Sequence, residues 1–198
     1  MRLLLSATSP YARKAHVALL EKGVAFEPVF LLASDPTVAA ANPLGKIPAL
    51  VCADGTVVYD SPVIVQYLEV VAPNPALYPA DPLARIDALR WEALGDGVCD
   101  AVVARMMESR RPAERQDPGS MAHQAGKVTR GLAAMEQTLG DREYAVGGAF
   151  SLADIVIACT IGYADLRAPE LLEPFGALRA RYNGMLARPS LAATVPPR

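Results

Sequence analysis

Asn42-Pro43-Leu44-Gly45-Lys46-Ile47-Pro48-Ala49-Leu50-Val51-Cys52-Ala53-Asp54-Gly55-Thr56-Val57-Val58-Tyr59-Asp60-Ser61-Pro62 is the stretch on which the fold turns. Ala49 to Cys52 and Thr56 to Tyr59 are short β-prone runs, and Asp54-Gly55 between them is a two-residue hairpin signal, so 47–59 reads as a hairpin. Pro48 opens the first strand, where a missing N–H is tolerated and where an X-Pro bond lowers the energy of a cis peptide. Ser61 is expected as an N-cap with Pro62 as the first helical residue, which leaves backbone donors free to receive an anion. The stretch therefore predicts a site for a ligand with an extended backbone and a carboxylate.

Working outward, Arg2 to Leu5 reads as a strand, Pro10 to Lys22 as a helix closed by Gly23, and Ala25 to Leu31 as a second strand. Ser34 or Asp35 caps a short helix running to Ala41, and the helix from Ser61 reaches Val71. The order βαβαββα is complete by residue 72. Between Pro73 and Pro82 there are four prolines in ten positions, which prevents regular structure. The expected division is an α/β domain over 1–75, a linker over 76–82 and an all-helical domain over 83–198.

In the second half, Asp81 caps a helix with Pro82 at its first position, and Ile86, Leu89, Ala93, Gly97 and Val102 mark its apolar face. Gly95 and Gly97 are expected to bend it. Met121, Ala125, Val128, Leu132, Met135 and Leu139 step by four and three along a second helix. Ser151 and Asp154 form a capping box with Phe150 and Ile155 as its hydrophobic staple, opening a helix that is apolar nearly all round from Ile155 to Ile161. Leu178, Tyr182 and Met185 indicate a last helix, and Pro189 and Pro196-Pro197 an irregular tail.

With 198 residues, 52% of them hydrophobic, the chain can bury a full core. Its 19 basic and 21 acidic residues nearly balance and form no basic stripe, which argues against a nucleic-acid partner. The apolar run Met1 to Leu5 stops at Ser6 and reads as a first strand rather than a secretory leader. No apolar stretch is long enough to span a bilayer, and Cys52, Cys99 and Cys159 stand far apart among apolar neighbours. A cytoplasmic protein without disulfides or membrane attachment is expected. His16 and His123 lack ligand-spaced partners, so no metal site is expected, and Ile47 stands where a phosphate-binding loop after Gly45-Lys46 needs Ser or Thr. Arg13 and Lys14 read as a solvated or structural face.

Four motifs occur in order: Ser9-Pro10-Tyr11-Ala12-Arg13-Lys14, Asn42 to Pro48, Asp60-Ser61 and Phe150-Ser151-Leu152-Ala153-Asp154. Together with the βαβαββα, linker and helical order, they make the whole chain resemble the cytosolic glutathione transferase family, whose first domain is thioredoxin-like. It is most similar to bacterial members that use serine at the catalytic position. The resemblance implies that Ser9 donates a hydrogen bond to the thiolate of glutathione, with neighbouring Thr8 as the other candidate hydroxyl. Lowering a thiol pKa of about 8.5 by about two units needs roughly 2.7 kcal/mol. One hydrogen bond to a charged group supplies about 1.5–3 kcal/mol and a helix N-terminus about 0.3–1 kcal/mol, so the two suffice without a metal. A serine before proline is equally the ordinary mark of an N-cap.

The resemblance further implies a cis-proline at Pro48, main-chain pairing of Ile47 with the cysteinyl unit, and capture of the γ-glutamyl end by Asp60 and Ser61. Asp60 replaces the glutamate frequent at this position, and an acidic residue near a helix start is also stabilising by itself. Lys46 is implied to meet the glycine carboxylate, or else is a solvated loop lysine. Tyr11, Arg105, Met106 and Tyr163 are the candidate liners of a pocket for a hydrophobic electrophile. The implied activity is conjugation of the glutathione thiolate to such an electrophile by a homodimeric enzyme. A non-catalytic binding or regulatory relative, and a glutathione-dependent isomerase or dehalogenase, are the alternatives. The absence of Cys-x-x-Cys, and of a cysteine at the first-helix position, disfavours disulfide exchange.

Overall fold

The structure is a computed structural model and describes residues 1–197. Its first half runs β1 (Arg2–Leu5), α1 (Pro10–Glu21), β2 (Glu27–Phe30), α2 (Pro36–Ala41), β3 (Ala49–Val51), β4 (Val57–Val58) and α3 (Ser61–Val71). The strands form one sheet in the order β2-β1-β3-β4, with β1 parallel to β2 and antiparallel to β3. This is the expected thioredoxin-like arrangement. Strand alternation divides the sheet's two faces: Leu3, Leu5 and Leu50 join Ile64 and Leu68 of α3 in the main core, whereas Leu4, Ala49 and Val38 of α2 are buried outside that cluster.

Two local features differ from the sequence expectation. The hairpin loop has three residues rather than two, because Cys52 N–H bonds the Thr56 carbonyl at 2.8 Å and leaves Ala53, Asp54 and Gly55 between them. Gly55 takes φ +85°, the left-handed residue that a three-residue loop requires. The third-helix start lies one residue earlier than expected. Asp60 occupies the cap position, its carbonyl accepting Ile64 N–H at 2.9 Å, and Ser61 is already helical and buried. Proline fits at either of the first two helical positions, since neither N–H has an intrahelical acceptor.

The second half contains α4 (Pro82–Ser109), a 3-10 turn at Ala113–Arg115, α5 (Pro118–Leu139), α6 (Leu152–Arg167), α7 (Pro169–Leu172), α8 (Gly176–Met185) and α9 (Pro189–Ala192). Asp81 and Asp117 cap α4 and α5 through their carboxylates. On α5 the expected face is buried from Val128 to Leu139, and α6 is buried on all sides from Leu152 to Ala164. Asp154 reaches back to the Ser151 N–H at 2.9 Å, as a capping box should, and also takes the Ala145 N–H. The tail is not wholly irregular: Pro189–Ala192 forms a short helix whose Ser190 and Leu191 are buried. Among the described residues no helix is long and apolar enough to cross a membrane.

On α4 the expected face is only partly the buried one. Val102 is buried and Leu89 half-buried against the core, but Ile86, Ala93 and Gly97 are exposed, while Ala88, Trp91, Glu92, Gly95, Val98 and Cys99 are buried. The buried face includes a glutamate and a glycine because it meets a lysine and a neighbouring helix. Gly95 does not interrupt α4; a Cβ there would lie 2.2 Å from Val156 Cγ1, so this glycine lets α6 come close.

The lysine is Lys14, 1% exposed, which donates to Glu92 at 2.8 Å and Asp96 at 2.7 Å. Arg13 beside it is also buried and bonds the Ala158 and Leu191 carbonyls and the Tyr182 hydroxyl. At the other end of α1, the Lys22 ammonium bonds the carbonyls of Ala72 and Pro75 and so holds the proline segment. Helix α1 is thus tied by buried cations to everything that follows it.

Burial alone pushes the Lys14 ammonium down, but Asp96 and Glu92 outweigh it and its pKa stands above the ordinary lysine range. Burial pushes Glu92 and Asp96 up despite Lys14, and neighbouring carboxylates add to it, Asp96 and Asp60 at Glu92 and Asp100 and Asp60 at Asp96. Removing the cation leaves two buried carboxylates, so Lys14→Met is expected to destabilise the fold by about 3–5 kcal/mol near neutrality. The sign with pH follows: carboxylates raised in the folded state favour folding at low pH and lose that contribution as pH rises. Urea midpoints of native and variant should converge on acidification, and a gap that widens as pH falls would refute this account.

Candidate functional site

A cavity of about 550 Å³ opens between the α/β half and helices α4 and α6. Ser6, Thr8, Ser9, Pro10 and Tyr11 form one wall, Gly45 to Pro48 with Asp60 and Ser61 a second, and Asp96, Asp100, Val103, Met106, Arg110, Tyr163 and Arg167 a third. Ten of the eleven anticipated residues, Thr8 among them, therefore meet in one place.

Arg105 is the exception. It points away and pairs with Glu170 at 2.8 Å, because α4 turns its 96–100–103–110 face to the cavity and Arg105 lies off that face. The residues missed were findable by helical spacing. Asp96, Asp100, Val103 and Arg110 follow from Met106 once the register of α4 is known, and Arg167 lies one turn beyond Tyr163.

Ser9 caps α1: its Oγ accepts the Ala12 N–H at 3.2 Å, with Pro10 at the first helical position. Capping uses only a lone pair, so the hydroxyl proton stays available to a ligand in the cavity. Tyr11 donates its hydroxyl to Asp100 Oδ1, and burial followed by this bond pushes the phenol far above its usual range. It remains a neutral donor.

The second wall is set by Asn42. This buried side chain donates to the Lys46 carbonyl at 2.9 Å and accepts from Leu44 N–H at 3.0 Å, folding 42–46 into a turn with Gly45 at φ +61°. The Ile47–Pro48 bond is cis. Pairing of β3 with β1 begins at Ala49, so the backbone of half-buried Ile47 lies beyond the ladder, facing the cavity. Lys46 is exposed at the rim. At the start of α3, Ser61 and Val63 precede the first helical hydrogen bond, and Ser61 is 1% exposed.

The chain's thiols lie elsewhere. Cys52, Cys99 and Cys159 are free and buried, and burial raises the Cys99 thiol strongly and the Cys159 thiol to about 11. Hydroxyls, backbone edges and charges line the cavity, an arrangement able to hold a small peptide and stabilise a negative charge beside Ser9.

Comparison with known proteins places these features in a family. The N-terminal domain model of glutathione S-transferases matches residues 8–71 and the C-terminal domain model residues 101–187. An uncharacterized GST-like protein of Escherichia coli K12, YibF, is 38% identical over 100% of both chains. A glutathione S-transferase from Methylobacillus flagellatus, solved with glutathione bound, superposes with a TM-score of 0.94 at 45% identity over 99% of each chain. Another from Methylobacterium radiotolerans, in complex with glutathione sulfonate, gives 0.95 at 40% identity over 100% of this chain and 95% of the other.

The outward course of Arg105 has a direct consequence. Arg105→Ala should lower stability by less than about 1 kcal/mol, as for a largely solvated ion pair, and leave ligand affinity at the cavity unchanged by calorimetry. A loss of affinity larger than twofold would put Arg105 back at the site.

Proposed function

We propose that this chain, which belongs to the glutathione S-transferase family, conjugates the thiolate of glutathione to a hydrophobic electrophile. The observation that carries the reading is the Ser9 hydroxyl: it caps α1 with a lone pair, keeps its proton, and lines the same cavity as the Ile47 backbone and the start of α3. The chain contributes no thiol to the cavity, so the nucleophile arrives with the ligand.

In this reading residues 1–75 hold the peptide and 83–198 the electrophile. The Ile47 N–H and C=O pair with the cysteinyl unit in the manner of an added strand, beside the cis bond to Pro48. Ser61 and the free N–H groups of α3 take the γ-glutamyl carboxylate, Asp60 faces its ammonium, and Lys46 at the rim meets the glycine carboxylate. Ser9 donates to the thiolate at the positive end of α1, and Tyr11, Met106 and Tyr163 border the electrophile. Catalysis then consists of positioning and charge stabilisation. The thiol proton leaves to solvent, the thiolate sulfur bonds the electrophilic carbon, and the displaced group departs with its electron pair.

We also infer a homodimer. At the N-terminal end of α4 Leu83 and Ile86 are exposed, and Val63 and Val70 of α3 are exposed on the other side of the linker. Surfaces of this kind call for a partner. Light scattering should give twice the 21.0 kDa chain mass, and a monomeric mass would reject the inference.

Ser9→Ala is expected to leave glutathione affinity within about twofold and lower kcat/KM on a generic aryl halide about 10- to 100-fold, the equivalent of one hydrogen bond to a charged group. Ultraviolet absorbance of bound thiolate should shift to higher pH by one or two units, as about 1.4–2.7 kcal/mol implies. Unchanged turnover in the variant would reject Ser9. Retention on immobilised glutathione without any turnover would favour a non-catalytic binding protein.

A further inference from the structure

The charge lining the cavity changes sign along α4. Asp96 and Asp100 lie just past its middle and Arg110 at its C-terminal cap, so at 1.5 Å per residue Arg110 stands about 15 Å beyond Asp100. Helix α6 adds Tyr163 and, one turn on, Arg167.

The acidic members are already partnered, Asp96 by the Lys14 ammonium and Asp100 by the Tyr11 hydroxyl. The basic members have no carboxylate among the described residues. Among the described residues the arginines in ion pairs are Arg90, Arg105, Arg111, Arg179 and Arg188, and not Arg110 or Arg167. Arg167 and Arg110 line the cavity together with Tyr163, and the Arg167 Nε is shielded from water without an acceptor. Burial raises the Tyr163 phenol, and the positive charges of Arg167 and Arg110 oppose that rise. An uncompensated guanidinium edge in the same cavity wall as a second arginine without an ion pair is an arrangement that a carboxylate completes.

We propose that Arg110 and Arg167 form a subsite for a carboxylate carried by the electrophile, so that the natural second substrate is an acidic rather than a purely apolar molecule. This rests on the reading that the cavity holds glutathione and an electrophile together. It accounts for two arginines at the end of a pocket otherwise walled by Val103, Met106 and Tyr163: the apolar wall receives the carbon frame, and the arginines fix its far end.

The test is binding of S-benzylglutathione and S-(para-carboxybenzyl)glutathione to the native chain, Arg110→Met and Arg167→Met, with unsubstituted glutathione as reference. The carboxyl group is expected to tighten binding to the native chain about 10- to 100-fold, as one hydrogen-bonded charge pair implies. Either substitution should abolish most of that gain and leave S-benzylglutathione and glutathione within about twofold, which also shows that the variants are folded. Equal affinity of the two adducts for the native chain would overturn the proposal. So would equal weakening of all three ligands in the variants, because the carboxylate held would then be glutathione's own. Carboxyl-selective binding without turnover of aryl halides would uphold the subsite and reject conjugation. Failure to bind glutathione or S-benzylglutathione would reject the glutathione reading, and the subsite with it.

Discussion

The ammonium of Lys14, held between Glu92 and Asp96, is the constraint on which the rest of the structure depends. Taking these charges out of water costs several kcal/mol per ion, and the attraction repays it only when geometry is good and every proton of the ammonium is used. Such a contact tolerates little displacement. It fixes α1 against α4, and with α1 the position of Ser9 five residues earlier. Arg13 points into the helices on the other flank, where Gly162 leaves room for it: a Cβ there would lie 2.6 Å from Arg13 Nη1. Between them the two side chains determine how the α/β half meets the helical half.

The cavity is a by-product of that clamp. Asp96 bonds Lys14 from the cavity wall, so one carboxylate belongs both to the interior ion cluster and to the surface a ligand meets. Tyr11, three residues before Lys14, reaches the same helix through Asp100. The residues nearest the proposed thiolate are therefore held by α1 and α4 together, on rigid helices rather than loops, which keeps donor geometry fixed without reorganisation when charge develops. The opposite wall is a loop, but Asn42 closes it with hydrogen bonds to both sides of Gly45.

Much of this was legible in the sequence, and the failures have a common cause. Strand β1, the capped helices and the α5 face follow from local pattern, because each buries ordinary apolar residues at regular spacing. The face of α4 does not, because what it buries is Glu92, Gly95 and Cys99, while Ile86 is left outside. Hydrophobic periodicity assigns the apolar stripe to the core, and here the core side was chosen by a buried lysine 78 positions away in the chain. Arg105 follows from the resemblance, which does not fix the register of α4; Arg110, one turn beyond Met106, lies on the face that lines the cavity. Lys14 reads from the sequence as a solvated or structural residue, and only its distant partners decide for the structural role. The one-residue shift at Ser61 is smaller: proline permits either start, and local sequence does not choose between them.

The division of labour between thiols and hydroxyls closes the physical argument. On the proposed reading the nucleophile is a thiolate brought by the ligand, whereas no thiol of the chain lines the cavity and burial raises two of them, Cys99 far above its ordinary range and Cys159 to about 11. Ser9 is a hydroxyl that burial does not need to ionise. On the proposed reading it donates one hydrogen bond to a charge supplied from outside, its lone pair already engaged by the helix it caps. Reactivity would then be conferred on the bound molecule and withheld from the protein. The choice of reaction would fall to whatever electrophile the far wall, lined by Arg110 and Arg167, holds against the sulfur.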